Sequence, residues 1–420
     1  MRFDGFRLVT RPIIPAMEMT RTDVAIVGAG PIGLEMAVAL KRRGIDYLHF
    51  DARQIGYTIS WFAPQTRFFS SNERIAIAGI PLETPDQSKA TREQYLAYLR
   101  SVVNQFDLQV RTYEPVVGIE RRDGEFVITT NPKSGQRRCL AKRLILATGG
   151  TDRPRRLQID GEDLPHVSHY FRDPHEYFRR RVLIVGGKNS AVEAALRCHH
   201  AGAKVLLSYR RSELDSRSIK YWLTPEITSL IRSGRIDGHF ATLPIRITES
   251  EVVMEQVGEQ AQRHGLSRAT SREGTEARSE EGEERGEIRL QADEHLRHAT
   301  ITNHQNHVPI TARLSSPKSN HQVTVAADFV LLLIGYEADV SLLKLAGVEL
   351  LGNCQAPRYN PQTMETNVPA LYVAGTATGG TQDKYALFIE NCHVHVERII
   401  AALTGAAPPH ALALPDLPES

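Results

Sequence analysis

Cysteine is scarce in this chain: there are four, Cys139, Cys198, Cys354 and Cys392, and no two of them form a C-x-x-C pair. That spacing excludes a disulfide framework and a thiolate zinc site, and it fits a reducing cytoplasm. An excess of one charge is also lacking. Lys and Arg number 51 against 49 Asp and Glu, a formal net charge of +2, which argues against nucleic acid or a membrane surface as partner. No apolar run approaches the ~18 residues of a membrane span. Residues 1–22 hold neither a continuous apolar stretch nor a small-residue cleavage site, so they read as a loose leader and not a signal peptide, with Met17 or Met19 as alternative starts. The histidine pairs His199–His200 and His393/His395 lack a ligand geometry. The first ends a helix and the second points to different helix faces, so no metal is assigned.

What the chain does contain is a complete βαβ signature. Residues 23–27 form a short apolar run, Gly28-Ala29-Gly30-Pro31-Ile32-Gly33 follows, residues 34–43 have helical spacing, and a second apolar run, 47–50, ends at Asp51. In this context G-x-G-x-x-G carries weight. Gly28 allows the tight turn, Gly30 lets the backbone approach a pyrophosphate, and Gly33 lets helix pack on strand. The helix N-terminus offers free N–H groups to phosphate oxygens, and Asp51 stands where a carboxylate meets an adenosine ribose.

A second unit begins at Arg181. The strand 182–185 runs into Gly186-Gly187-Lys188-Asn189-Ser190-Ala191, then a helix, then the strand 205–207, and Arg210-Arg211 follow it. Lys188 replaces the central glycine. Where the first unit has an acid, the second has two guanidiniums, which suit the 2′-phosphate of NADP. Two units with opposite discriminators point to FAD on the first and NADPH on the second, with hydride passing from nicotinamide C4 to flavin N5.

Between and around these units the expectations are coarser. Tyr57, Trp61, Phe62, Phe68 and Phe69 crowd one segment, as a wall for a flat ring or as an aromatic mini-core. Residues 91–104 read as an amphipathic helix, 108–110, 116–119 and 126–130 as strands with a turn at Arg122-Asp123-Gly124, and 144–150 as a buried strand ending in glycines. Residues 258–321 are rich in Glu, Arg, Ser and Gly and cannot bury a core, so they read as a disordered charged insertion. Residues 323–334 resume strand character, 370–376 form another strand running into glycine, and 384–403 a closing helix capped by Thr381. The N-terminus of that helix is expected at the flavin N1/C2=O edge. The fold class is therefore α/β, two Rossmann-like dinucleotide-binding domains with the second inserted into the first. The expected divisions are 1–22 leader, 23–153 and 336–405 FAD domain, 154–335 NADPH domain, and 406–420 a flexible tail.

At Ser70-Ser71, Gly161-Glu162-Asp163-Leu164-Pro165, His169-Tyr170-Phe171, Gly186 to Ser190, Met364 to Val368 and Phe388 to Asn391, the chain resembles the two-dinucleotide-binding flavoproteins of the thioredoxin reductase type. Within them it is most similar to the bacillithiol disulfide reductase group, over residues 23–255 and 327–405. The resemblance implies Gly28, Gly30, Gly33, Asp51, Val116, Gly149, Gly375 and Thr376 at the FAD site. It implies Gly186, Lys188, Asn189, Ser190, Arg210 and Arg211 at the NADPH site, with Gly335 near the return hinge. It also allows a homodimer. The group carries a redox cysteine where this chain has Ile32, and an isoleucine cannot attack sulfur. Cys392 is the one cysteine placed near the flavin, as a buried structural thiol. The expected activity is an NADPH-dependent FAD oxidoreductase serving an external acceptor, a small molecule or a small protein. The alternatives are a ferredoxin- or quinone-type reductase, a flavin monooxygenase and a non-catalytic redox sensor.

Overall fold

The computed structural model describes residues 19–258, 322–382 and 386–407. The charged insertion, the leader up to residue 18 and the tail from residue 408 lie outside the described residues.

The first sheet starts with strand β1 (Thr20–Val27), followed by helix α1 (Pro31–Lys41) and β2 (Tyr47–Phe50). The strand β1 starts ahead of the expected boundary at Asp23: Thr20, Arg21 and Thr22 already pair with Cys139, Leu140 and Ala141. Those three residues are strand and not leader. Along β1 the side chains alternate between two apolar layers, Val24 and Ile26 in one and Ala25 and Val27 in the other. A strand covered on both faces reads as a continuous hydrophobic run, which is why the sequence signal was strong.

After two short helical turns, α2 (Tyr57–Ser60) and α3 (Asn72–Ile75), comes α4 (Arg92–Gln105). It begins at a full capping box: the Thr91 hydroxyl accepts from Gln94 N–H, and the Gln94 side chain accepts from Thr91 N–H. Four strands follow: β3 (Val110–Arg111), β4 (Val116–Arg122), β5 (Glu125–Thr130) and β6 (Arg137–Leu146). Asp123 and Gly124, both at positive φ, turn β4 into β5.

The chain then leaves through β7 (Arg153–Pro154) and builds a second sheet from β8 (Val167–Ser168), β9 (Arg181–Val185), helix α5 (Asn189–His200), β10 (Lys204–Tyr209), helix α6 (Thr224–Arg232) and β11 (Asp237–Phe240). Strands β12 (Thr242–Ile247), β13 (Glu251–Gln256) and β14 (Gln322–Ala326) form a separate antiparallel sheet. Glu255 pairs with Gln322 across β13 and β14, so the two ends of the undescribed segment meet at one hairpin end. The expected strand 323–334 is in fact two strands. The first, β14, ends at Ala326. The second, β15 (Phe329–Leu332), joins the parallel sheet, whose order is β11-β10-β9-β15-β8. Between them the Asp328 carboxylate accepts from Arg181 N–H and its guanidinium, which fixes the switch of sheets.

The return strand β16 (Tyr336–Glu337) pairs antiparallel with β7, so exit and re-entry form one two-stranded ribbon. Beyond it lie α7 (Ser341–Leu345), the ribbon β17 (Leu350–Leu351) and β18 (Ala356–Pro357), then β19 (Leu371–Val373) and α8 (His393–Thr404). Strand β19 pairs parallel with β6 and completes the first sheet, β3-β2-β1-β6-β5-β4 with β19 also on β6. The second Rossmann-like unit is thus inserted into the first. Among the described residues no helix is long and apolar enough to cross a membrane.

The closing helix begins at His393 and not at Lys384. Residues 383–385 lie outside the described ones, and 386–391 are held otherwise: Asn391 Oδ1 accepts from Phe388 N–H while its Nδ2 donates to Ala386 O. Thr381 caps no helix. Its hydroxyl oxygen accepts from Ala338 N–H at 2.9 Å.

The Gly161-Glu162 motif buttresses the second unit near this ribbon. Glu162, 3% exposed, accepts from Leu157 N–H (2.9 Å), Gln158 N–H (2.7 Å) and His169 Nε2 (2.9 Å). Burial alone would raise its carboxyl, but these hydrogen bonds and the Arg156 charge outweigh that and hold it below the ordinary value of 4.5. A depressed folded value adds stability that is complete above the unfolded value and lost as pH falls through the folded one. Glu162→Gln is therefore expected to cost about 1.5–3 kcal/mol at pH 7, from charge-assisted bonds lost in a buried site. The gap to the parent in urea midpoint is expected to close as the pH is taken below 4.5.

Candidate functional site

In each unit a glycine at the strand end lies against a carbonyl just past the neighbouring strand. At Gly28 (φ +109°) an added Cβ would stand 2.3 Å from Ala147 O, and at Gly186 (φ +142°) 2.5 Å from Leu333 O. No side chain fits either place. The third glycine of the first turn, Gly33, is just as tight, with its Cβ position 1.9 Å from Gly28 O. Gly30 differs. Its φ of −74° suits any residue, and no protein atom lies within 4 Å of where its Cβ would be. Nothing in the fold requires glycine there, so the open cradle at the N-cap of α1 fits an approaching phosphate. Lys188 holds the corresponding N-cap position of α5 and is exposed.

Asp51 closes the first turn. Its Oδ2 accepts from Ala29 N–H at 2.6 Å and its Oδ1 from Arg53 N–H at 2.7 Å. Burial raises its carboxyl, partly offset by those N–H groups and the Arg53 charge. Glu114 N–H donates to Asp51 O, which ties the start of β4 and so Val116 to the same strand end. From the other side, Gly150 N–H donates to Thr376 Oγ1 at 2.9 Å, which joins the glycines after β6 to those after β19. The Cβ position of Gly375 lies 3.4 Å from Ile32 Cβ. Gly28, Gly30, Gly33, Asp51, Val116, Gly149, Gly375 and Thr376 thus converge on one end of the first sheet.

The second set gathers likewise. Tyr209 lays its ring on Gly187, where a Cβ would be 2.5 Å from the ring. That places half-buried Arg210 and Arg211 beside the turn, and Arg211 O accepts from Ala241 N–H. Asn189 Oδ1 accepts from Lys220 N–H at 2.6 Å, and Ser190 is exposed. Gly335 sits at φ +104° just before β16.

Several side chains that the sequence reading passed over support these turns. His49, fully buried on β2, donates from Nε2 to Gly28 O at 2.9 Å, and burial lowers its pKa to about 4. His395 Nδ1 accepts from Gly375 N–H at 3.2 Å, and burial lowers its pKa to about 4 as well. His393 bonds Glu35 Oε2 at 2.6 Å and Arg74 O at 2.9 Å, on a different face of α8. A histidine at an inward position of an apolar strand was the one readable signal, and it belongs to His49. The aromatic segment divides. Phe68 packs against Tyr95 of the core with exposed Phe62 on its outer side, whereas Trp61 meets Tyr170 of the second unit and Tyr336 of the ribbon at 5.7 and 5.8 Å.

Three of the four thiols are buried, and Cys354 is half-buried. Burial pushes Cys139 to about 11 and Cys198 and Cys392 to about 12. Cys392 caps α8 and is wholly buried.

Comparison with known proteins gives the family and supports the fold. The profile of the pyridine nucleotide-disulphide oxidoreductase family matches residues 25–268 and 267–375. Bacilliredoxin reductase Bdr of Bacillus subtilis (strain 168) is 32% identical over 386 residues, 92% of this chain and 98% of that protein. A ferredoxin–NADP reductase of Ignicoccus hospitalis is 29% identical over 217 residues, 50% of this chain and 64% of that one. Among solved structures, the bacillithiol disulfide reductase Bdr from Staphylococcus aureus superimposes with a TM-score of 0.73 at 30% identity, over 92% of this chain and 99% of that chain.

Proposed function

We propose, from the premise that this chain belongs to the pyridine nucleotide-disulphide oxidoreductase family, that it is an NADPH-dependent FAD oxidoreductase that passes electrons to an external acceptor without a thiol of its own. The observation that carries this reading is the pair of glycine turns with opposite chemistry at the following strand end: Asp51 in the first, Arg210-Arg211 in the second. FAD, when bound, supplies the ring that takes hydride from the nicotinamide. The cradle before Gly30 receives the pyrophosphate, Asp51 the ribose, and Val116, Gly149, Gly375 and Thr376 line the rest. Gly186, Lys188, Asn189 and Ser190 receive the second dinucleotide, and Arg210 and Arg211 read its 2′-phosphate. His395 keeps Gly375 N–H occupied and stays neutral near pH 7.

Ile32 and the protonation of the three buried cysteines support direct delivery. A disulfide acceptor needs an attacking thiolate, and thiols with pKa values of about 11 to 12 hold almost none at pH 7. Bdr is a reductase of bacilliredoxin or bacillithiol disulfide by its names, so a low-molecular-weight acceptor is the first class to try. Ferredoxin and quinones are the next. A reducing cytoplasm suits the four free cysteines.

The test is anaerobic mixing of the yellow holoenzyme with NADPH or NADH, followed by bacillithiol disulfide, ferredoxin and a quinone. NADPH is expected to bleach the flavin. Cys139→Ser, Cys198→Ser, Cys354→Ser and Cys392→Ser are each expected to keep acceptor turnover within about twofold, since no thiolate takes part. Loss of turnover in any one of them, with bleaching intact, would establish a resident thiol and end the direct-delivery reading.

A further inference from the structure

We propose that the chain carries a second, separate anion site at the β5–β6 hairpin, which accepts a small organic phosphate. A cavity of about 330 Å³ opens there, lined by Phe50, Arg111, Thr130, Arg137, Arg138 and neighbours in residues 134–139. None of its lining residues belongs to either glycine turn. Its volume lies at the small end of ligand pockets, which suits a phosphorylated compound of a few carbons.

Charge selects the ligand. Three guanidiniums line the cavity, and Glu114 is the carboxylate that pairs with two of them. Glu114 is 4% exposed, and its oxygens stand 3.9 Å from Arg111 and 3.6 Å from Arg137. That carboxylate also accepts the Thr130 hydroxyl at 2.7 Å, so it holds two of the arginines in place without neutralising three. Arg111 lies over the Phe50 ring at 5.4 Å and Arg137 donates to Ser134 Oγ at 3.1 Å, which fixes both forks. Arg138 makes no ion pair or side-chain hydrogen bond among the described residues, yet it lines the cavity. A fixed pair of guanidiniums with a third uncommitted one matches a phosphate, which takes bidentate, charge-assisted hydrogen bonds. The apolar Phe50 floor suits the carbon skeleton.

The probe is 3-phosphoglycerate, titrated calorimetrically into FAD-loaded enzyme with saturating NADP⁺, so that Arg210 and Arg211 are already engaged. Glycerol serves as the neutral control. Saturable binding of 3-phosphoglycerate and none of glycerol is expected. Arg138→Glu is expected to weaken the binding by about tenfold or more and Arg138→Gln by less, because charge as well as hydrogen bonding is lost. Both variants change an exposed side chain, so FAD content and bleaching by NADPH are expected to stay at parental values. Absence of saturable binding in the parent, or equal affinity in Arg138→Glu, would overturn the site.

Discussion

Gly30→Ala is expected to leave the melting temperature of the apoprotein within about 2 °C of the parent, because the residue change is worth well under 1 kcal/mol in a chain of this size. FAD affinity is expected to fall by about 100-fold, roughly 2.8 kcal/mol at 1.4 per factor of ten. The two halves have one cause. A methyl group at residue 30 meets no protein atom within 4 Å and asks for no unusual φ, so the fold is indifferent to it. On the proposed function, the space that the methyl would fill is the space the pyrophosphate needs. Gly28→Ala is the contrasting variant. It forces a Cβ to within 2.3 Å of Ala147 O at a φ of +109°, and is expected to cost about 3 kcal/mol or more of stability besides FAD. Calorimetry of the apoproteins and equilibrium titration with FAD separate the two effects. If Gly30→Ala binds FAD as the parent does, the open cradle is not the phosphate site.

The double substitution Arg210→Ala/Arg211→Ala is expected to erase the preference for NADPH. Charge-assisted hydrogen bonds contribute about 1.5–3 kcal/mol each, so losing two predicts a rise in KM for NADPH of roughly 100-fold or more. The KM for NADH and both kcat values are expected to change less than about threefold, because the phosphate lies far from the reacting carbon and its binding is felt equally in ground and transition states. The backbone there is held independently of the side chains, by Ala241 N–H to Arg211 O and by Tyr209 packed on Gly187. The comparison therefore reads recognition and not folding. An unchanged NADPH-to-NADH ratio would move the discriminator elsewhere, with exposed Lys188 the next residue to test.

Both turns were legible because their signals are local. A buried parallel strand, a turn that admits no Cβ and a helix N-terminus lie within a few consecutive residues, and each has a residue requirement that composition reveals. The helix that follows Thr91 and the Asp123-Gly124 turn were legible for the same reason. Helix α8 was misplaced because apolar spacing continues through residues 387–389, while the Asn391 side chain holds that stretch in another conformation. A competing side-chain-to-backbone bond leaves no periodicity to read. The strand 323–334 was read as one because β14 and β15 are both apolar, and only Asp328, paired with a residue far away in the chain, divides them.

By itself the sequence determined that this protein holds two glycine turns with opposite charge after the following strand, one unit inserted inside the other, and that no cysteine stands at position 32. Only the tertiary structure decided which groups hold those turns. His49 under Gly28, His395 on Gly375 and Thr376 against Gly150 join residues distant in the chain. The physical reason is that a glycine's requirement is set by its own backbone and nearest carbonyl, whereas a buried imidazole acquires its role from whichever strand or helix folding brings against it. The arginine-lined cavity at the β5–β6 hairpin belongs to the same class, since its cations are ordinary surface residues until β3, β5 and β6 place them around one space.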